Sequence, residues 1–202
     1  MAVPFAYKET KSIRLAQILG ETGGLTPAAL EVGVGPGGIA GPLSRRWMRV
    51  VGIDLSLEAL ERAKEYCRDD RVMLLRGSGF SLPFRDQSFP LVYAAQVLHL
   101  FDTDGRLRLM HEVRRVLRPG ARFVFDMKNA FSHPLRYWTS SASRKLRNFP
   151  STDEIQALLD RAGFRDVEVR PGVMPGLGAV QVPNAGLFRA LAHTLFFIAR
   201  TP

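Results

Sequence analysis

The stretch Ala28 to Gly38, AALEVGVGPGG, constrains this chain more than any other. An apolar run with the look of a buried strand leads straight into glycines. Glycines at a strand-to-helix turn let the backbone approach a ligand that a β-carbon would block. The next apolar run, Arg49 to Leu55, carries Asp54 near its end. An acidic residue about 20 residues beyond such glycines can accept both hydroxyls of a ribose. Gly33, Gly35 and Gly38 also satisfy the dinucleotide fingerprint, so the glycines alone do not separate a nicotinamide cofactor from another adenosine-bearing one. Glu31 does favour one side. It stands two residues before the first glycine, where it would repel a pyrophosphate but could face a ligand ammonium directly or through water. A cationic amino-acid cofactor fits better.

Around this turn, short apolar runs alternate with amphipathic stretches, the pattern of an α/β sheet. Lys8 to Leu19 has near-helical apolar spacing and is expected to end at Gly20, Gly23 and Gly24. A strand over Ala28 to Val34 is followed by a helix from near Ile39. Ser56 caps a helix from Leu57 to Cys67, with Glu58 and Glu61 in its first turns. Strands are expected at Val72 to Leu75, Leu91 to Ala95 and Arg122 to Met127. A helix opened by Asp104 or Gly105 runs through Leu117 and is stopped by Pro119-Gly120. Ser151 or Thr152 caps a further helix with help from Glu154, and Gly163 ends it. Val167 to Val169 and Thr194 to Ala199 supply two last strands. The 202 residues are expected to form one domain: a leading helical segment (1–27), a cofactor-binding core (28–170), and a long loop with a final strand (171–202).

Composition narrows the classes. With 46% apolar and 23% charged residues the chain can bury a sizeable core. The N-terminus lacks the apolar run of a signal peptide. The longest apolar stretch, Leu91 to Phe101, is broken by Gln96 and His99 and falls short of the ~18 residues that span a bilayer. A single cysteine, Cys67, excludes an internal disulfide and a cysteine-based zinc cluster, and four dispersed histidines offer no metal-ligand spacing. No metal is expected, and a cytoplasmic location is. The net charge of +9 permits an anionic partner without requiring one.

Downstream of the glycine turn lie Leu82-Pro83-Phe84 and Ser88-Phe89 before the fourth strand. Leu98-His99-Leu100 follows that strand, and Val116-Leu117-Arg118-Pro119-Gly120 precedes the fifth. From about Ala28 to Val169 the sequence resembles the class I methyltransferases that use S-adenosylmethionine, particularly the small family similar to quinone-biosynthesis methyltransferases. The resemblance implies a Rossmann-like, doubly wound, mostly parallel seven-stranded sheet of order 3-2-1-4-5-7-6 with strand 7 antiparallel. It also implies that Gly33, Gly35 and Gly37 line the methionine and ribose, that Asp54 holds the ribose hydroxyls and that Leu55 packs on adenine. Gln96 and Val97 would border the methionine end. Two positions depart from the family pattern. Ser78 and Gly79 stand where an Asp and a small residue usually bind the adenine amino group, and Pro90 replaces an Asp. The Ser78 hydroxyl can still hydrogen-bond adenine.

Methyl transfer from a sulfonium needs alignment and exclusion of water, and a base only when the nucleophile carries a proton. His99, after the fourth strand, is the candidate base, with His133 behind it; His111 and His193 read as structural. Asp126 could touch substrate, cap a helix or form a salt bridge, and Cys67 reads as a packing residue. Tyr7 could fold over the cofactor. The segment from Arg136-Tyr137-Trp138 through Arg144-Lys145-Leu146-Arg147 mixes cations with aromatics as an RNA-holding surface would, against the alternative of a solvated lid. The loop from Pro171 to Ala192 reads as an apolar wall or a homodimer surface. The expected activity is methyl transfer to a small-molecule acceptor. Alternatives are an RNA methyltransferase and an inactive S-adenosylmethionine-binding regulator; a nicotinamide dehydrogenase comes last, for want of chain to build a substrate domain.

Overall fold

The computed structural model describes residues 5–21, 26–46, 48–129, 150–172, 192 and 194–202. In chain order the elements are α1 (Phe5–Glu21), β1 (Ala28–Val32), α2 (Ala40–Arg46), β2 (Arg49–Asp54), α3 (Leu57–Tyr66) and β3 (Val72–Arg76). They continue with β4 (Phe89–Ala94), a 3-10 turn (Leu98–Leu100), α4 (Thr103–Val116), β5 (Leu117–Lys128), α5 (Thr152–Arg161), β6 (Arg165–Pro171) and β7 (Thr194–Arg200). The strands form one sheet of order β3-β2-β1-β4-β5-β7-β6. β7 runs antiparallel to both β5 and β6, and the remaining pairs are parallel. The order reverses between β1 and β4, which is where open α/β sheets leave a crevice at the carboxyl ends of their strands.

Alternation along the strands splits the core in two. Leu30, Val32, Val92, Ala94, Phe123, Phe125 and Phe197 share one cluster with Val113, Val116, Ile155 and Leu159 of α4 and α5. Ala29, Leu91, Tyr93, Val124, Phe196 and Ile198 share the other with Leu15 and Ile18 of α1, Leu43 of α2 and Leu60 of α3. Each such large apolar side chain contributes roughly 1.5–3 kcal/mol on burial. The face under α1 also carries buried charge. The Arg122 guanidinium donates to the Leu19 carbonyl at 3.0 Å. Arg14 donates twice to the Pro171 carbonyl, at 3.1 Å each. Lys11 Nζ meets Asp126 Oδ2 at 2.5 Å. α1 therefore docks against β5, with Lys11 at Asp126 near the carboxyl end of the strand and Leu19 at Arg122, nearer its middle.

The helix starts follow local chemistry. Ser56 accepts from the Ala59 amide, Asp102 from Gly105, and Ser151 with Glu154 forms a full capping box. Several boundaries differ from the sequence reading. Gly20 lies inside α1 rather than ending it, and α4 begins at Thr103 with Asp102, not Asp104 or Gly105, at its cap. α4 ends at Val116, and Leu117 to Gly120 already belong to β5. The pairing of β4 with β5 slips there: Phe89 opposes Leu117, but Leu91 opposes Arg122. Pro90 lacks the amide that would continue the ladder. The extra residues of β5 arch out through Gly120 (φ 69°), and the Thr201 hydroxyl ties the arch by donating to the Arg118 carbonyl at 2.6 Å and accepting from the Ala121 amide at 3.0 Å.

Candidate functional site

The carboxyl ends of β1, β2 and β4 surround a cavity of about 310 Å³. Its lining includes eight of the ten residues expected from sequence to contact the cofactor: Glu31, Gly33, Gly35, Asp54, Leu55, Gly79, Gln96 and Val97. Val34, Gly38, Ile39, Ile53, Gly77, Leu100, Phe101 and Leu109 also contribute. Gly37 and Ser78 do not appear on the wall.

The glycine turn is fixed from β2. Gly33 and Val34 both donate to the Ile53 carbonyl, at 2.8 and 3.1 Å. Gly33, Gly35 and Gly37 all have positive φ, but their surroundings differ. A β-carbon on Gly35 would meet nothing within 4 Å, so this bare backbone faces open space in the cavity. A β-carbon on Gly37 would come within 2.4 Å of Cys67 Sγ, so Gly37 serves the close packing of α3 against the turn. Cys67 is buried and donates weakly to the Gly37 carbonyl at 3.6 Å. Burial first, then the charge of Glu31, pushes its thiol pKa up to about 11.

Asp54 bridges the turn and α3. Its Oδ2 accepts from the Gly35 amide at 2.8 Å and its Oδ1 from the Ser56 amide at 2.9 Å. Each carboxylate oxygen keeps a second acceptor direction, so hydroxyl donors can be added without dismantling this arrangement. Leu55, next to it, is exposed, as an apolar surface that a flat ligand would cover must be. On the opposite wall Gln96 adopts a left-handed φ of 62°. Its backbone N–H donates to Asp126 Oδ1 at 2.6 Å, and the other oxygen of Asp126 holds Lys11. Asp126 thus joins α1 to the cavity wall. Glu31 is 2% exposed and accepts from the Tyr93 hydroxyl at 2.9 Å.

The Ser78 hydroxyl oxygen accepts from the Phe80 amide at 3.1 Å. The loop that follows is strapped to α4 by Arg115, which donates to the Leu82 and Phe84 carbonyls at 2.9 and 2.8 Å and pairs with Asp86 and Glu112. This strap fixes the Leu82-Pro83-Phe84 motif against α4.

His99 does not line this cavity. It lines a second one of about 680 Å³, together with Asp102, Thr103, Arg106, Glu154 and Arg161. Leu100 and Phe101 border both. Burial chiefly lowers the His99 pKa, partly opposed by Asp126, so the imidazole is neutral at neutral pH. Arg106 is 5% exposed and donates to the Leu98 carbonyl at 3.1 Å, which ties α4 to the 3-10 turn that carries His99. His111 lies exposed on α4. His133, His193, the side chain of Tyr7, the basic segment 136–147 and the loop 173–191 lie outside the described residues. Among the described residues no group of histidine, cysteine and carboxylate side chains could hold a metal ion, and no helix is long and apolar enough to cross a membrane.

Tyr93 and Lys11 were not singled out from sequence. Both act across the fold, Tyr93 through strand register and Lys11 through helix docking, and neither leaves a spacing signal.

Residues 30–125 match the family described as methyltransferase domain. The demethylmenaquinone methyltransferase of Tropheryma whipplei (strain Twist) is 32% identical over 121 residues, 60% of this chain and 48% of that one. The chain therefore spans about half the length of that relative. A SAM-dependent methyltransferase structure from Thermotoga maritima superposes with a TM-score of 0.76 at 20% identity, covering 98% of this chain and 91% of the other. Phosphoethanolamine N-methyltransferase 2 of Haemonchus contortus, solved in complex with S-adenosyl-L-methionine, has a TM-score of 0.71 at 21% identity, covering 98% of this chain and 56% of that one.

Proposed function

We propose that the chain is a class I methyltransferase that binds S-adenosylmethionine and transfers its methyl group to a small-molecule acceptor; the match of residues 30–125 to a methyltransferase domain supports this reading. The observation that carries the proposal is the pairing of a buried carboxylate, Glu31, with a second carboxylate, Asp54, on the wall of one cavity built over a bare glycine turn. The residues fit the cofactor. Gly35 leaves room for close approach, Asp54 suits ribose hydroxyls, Leu55 and Gly79 suit the adenine, and Glu31 with Gln96 and Val97 suits the amino-acid end.

When bound, the cofactor supplies a methyl group on a positively charged sulfur, displaced in line with a neutral thioether leaving. The chain's own residues then have three tasks. Glu31 offsets positive charge at the amino-acid end. Asp54, held by the Gly35 and Ser56 amides, orients the ribose. His99 takes the proton of an acceptor that carries one, for which its depressed pKa keeps the ring unprotonated. In this reading the acceptor occupies the second cavity, because His99 lines it and Leu100 and Phe101 are shared with the first.

Isothermal titration tests the cofactor: S-adenosylhomocysteine binds, and NAD does not bind measurably. Asp54→Ala weakens that binding by roughly 1.5–3 kcal/mol for each charge-assisted hydrogen bond that the carboxylate gives the ribose. Tighter binding of NAD overturns the proposal. Transfer of labelled methyl to RNA, with binding that survives near-physiological salt, would overturn the small-molecule acceptor while leaving the cofactor in place.

A further inference from the structure

Glu31 and Tyr93 are register partners on the adjacent parallel strands β1 and β4. Both are buried, at 2% and 1% exposure, on the face covered by α1, α2 and α3. The Tyr93 hydroxyl donates to Glu31 Oε2 at 2.9 Å, and Glu31 lines the cavity over the glycine turn. The neighbours of Tyr93 along β4, Leu91, Val92 and Ala94, are aliphatic and fully buried. A hydroxyl in such a run costs desolvation unless it finds an acceptor, and a carboxylate so withdrawn from water needs donors to remain ionised. The two needs meet in one bond.

We propose that Tyr93 is a positioning residue for cofactor recognition, fixing the Glu31 carboxylate so that it receives the ammonium of the cofactor's amino-acid end. The inference rests on the cofactor reading above. The phenol is well suited to the role because it stays a donor: burial, and then the negative charge of Glu31, raise its pKa well above the ordinary tyrosine value, so it keeps its proton. With Oε2 anchored, the carboxylate cannot swing away from the cavity without breaking a buried charge-assisted bond. A phenylalanine at position 93 would fill the same space and leave the carboxylate without that restraint.

The test compares two ligands that share adenosine and a thioether but differ in the amino-acid tail: S-adenosylhomocysteine, which has it, and 5′-methylthioadenosine, which lacks it. Calorimetric affinities are measured for the wild type, Tyr93→Phe, Glu31→Gln and the double variant. The Tyr93–Glu31 bond is present with or without ligand, so the ligand loses only the part of its carboxylate–ammonium contact that depends on the positioning, and a whole contact of that kind corresponds to about tenfold to a hundredfold in affinity. Tyr93→Phe is therefore expected to weaken S-adenosylhomocysteine by about fivefold to tenfold while methylthioadenosine stays within about twofold, which also shows that the variant is folded. In the Glu31→Gln background the same substitution should add little, because the two residues act as one unit. Equal weakening of both ligands, or of neither, overturns the inference and leaves Tyr93 a packing residue. A wild-type protein that binds neither ligand overturns the cofactor reading itself, an outcome distinct from the other two.

Discussion

At the scale of single residues, His99 is the sharpest case of a side chain whose role depends on where its neighbours put it. Its burial lowers its pKa from 6.5, so the unfolded chain takes up a proton first as pH falls. The stability it contributes is present above about 6.5 and declines below that value, through the depressed folded pKa. As a base it acts in the neutral form, so the rate holds through neutrality and falls only on the acid side. His99→Ala is expected to lower the single-turnover rate by about 10²- to 10⁴-fold with S-adenosylhomocysteine affinity nearly unchanged. An undiminished rate per folded molecule would reduce His99 to a structural residue. That Asp54, Glu31, Gly33 and Gly35 would meet on one cavity wall was legible in the sequence because their places are tied to spacing within a single βαβ turn. Gly37 shows the limit of that legibility. It belongs to the same motif, yet what a side chain there would strike is Cys67, thirty residues on and brought back by α3. Tyr93 was illegible for a related reason, since nothing in an apolar run announces which residue of another strand will lie beside it.

At the scale of elements, existence and order were readable and ends were not. The amphipathic spacing of α4 marks its buried face, but its carboxyl end is decided by β5, which captures Leu117 three residues before Gly120. Pro90 reads in sequence as a missing carboxylate; in the sheet it is the place where the ladder between β4 and β5 skips. The docking of α1 was outside any local signal. A lysine on an amphipathic helix is normally placed on its wet face, yet Lys11 is 1% exposed and meets a carboxylate 115 residues away. Removing it would strand Asp126 in the interior. Lys11→Met is expected to destabilise the fold by about 3–5 kcal/mol, the usual cost of breaking a buried pair from one side. A lowered urea midpoint with an unchanged denaturant slope is the measurement. A loss below about 1 kcal/mol would mean that the pair is solvated or replaced.

At the scale of the molecule, the sheet order was legible through family resemblance, whereas the alternation of apolar runs with amphipathic stretches indicated only an α/β sheet. The cavity belongs to the whole, since its walls come from three strands, the loops after them and, through Asp126, α1. Ligand binding should therefore stabilise the domain as a unit. At a free ligand concentration of about 100 times Kd, linkage supplies about 2.7 kcal/mol. For a domain of this size that corresponds to a rise in Tm of roughly 5–10 °C with S-adenosylhomocysteine, and no rise with NAD. A flat response to both would argue against a ligand site in this cavity. The docking of α1 also sets a timetable. The helix precedes every described strand, but its polar groups, the Lys11 and Arg14 side chains and the Leu19 carbonyl, are matched to residues that come 103 to 157 positions later. During synthesis it must wait, with charged and apolar faces unmatched, until β5 and β6 have been made. This helix, made before the strands it packs on, is consequently among the last of these elements to settle, and in the interval before it does its unmatched faces are open to capture by chaperones or by neighbouring chains.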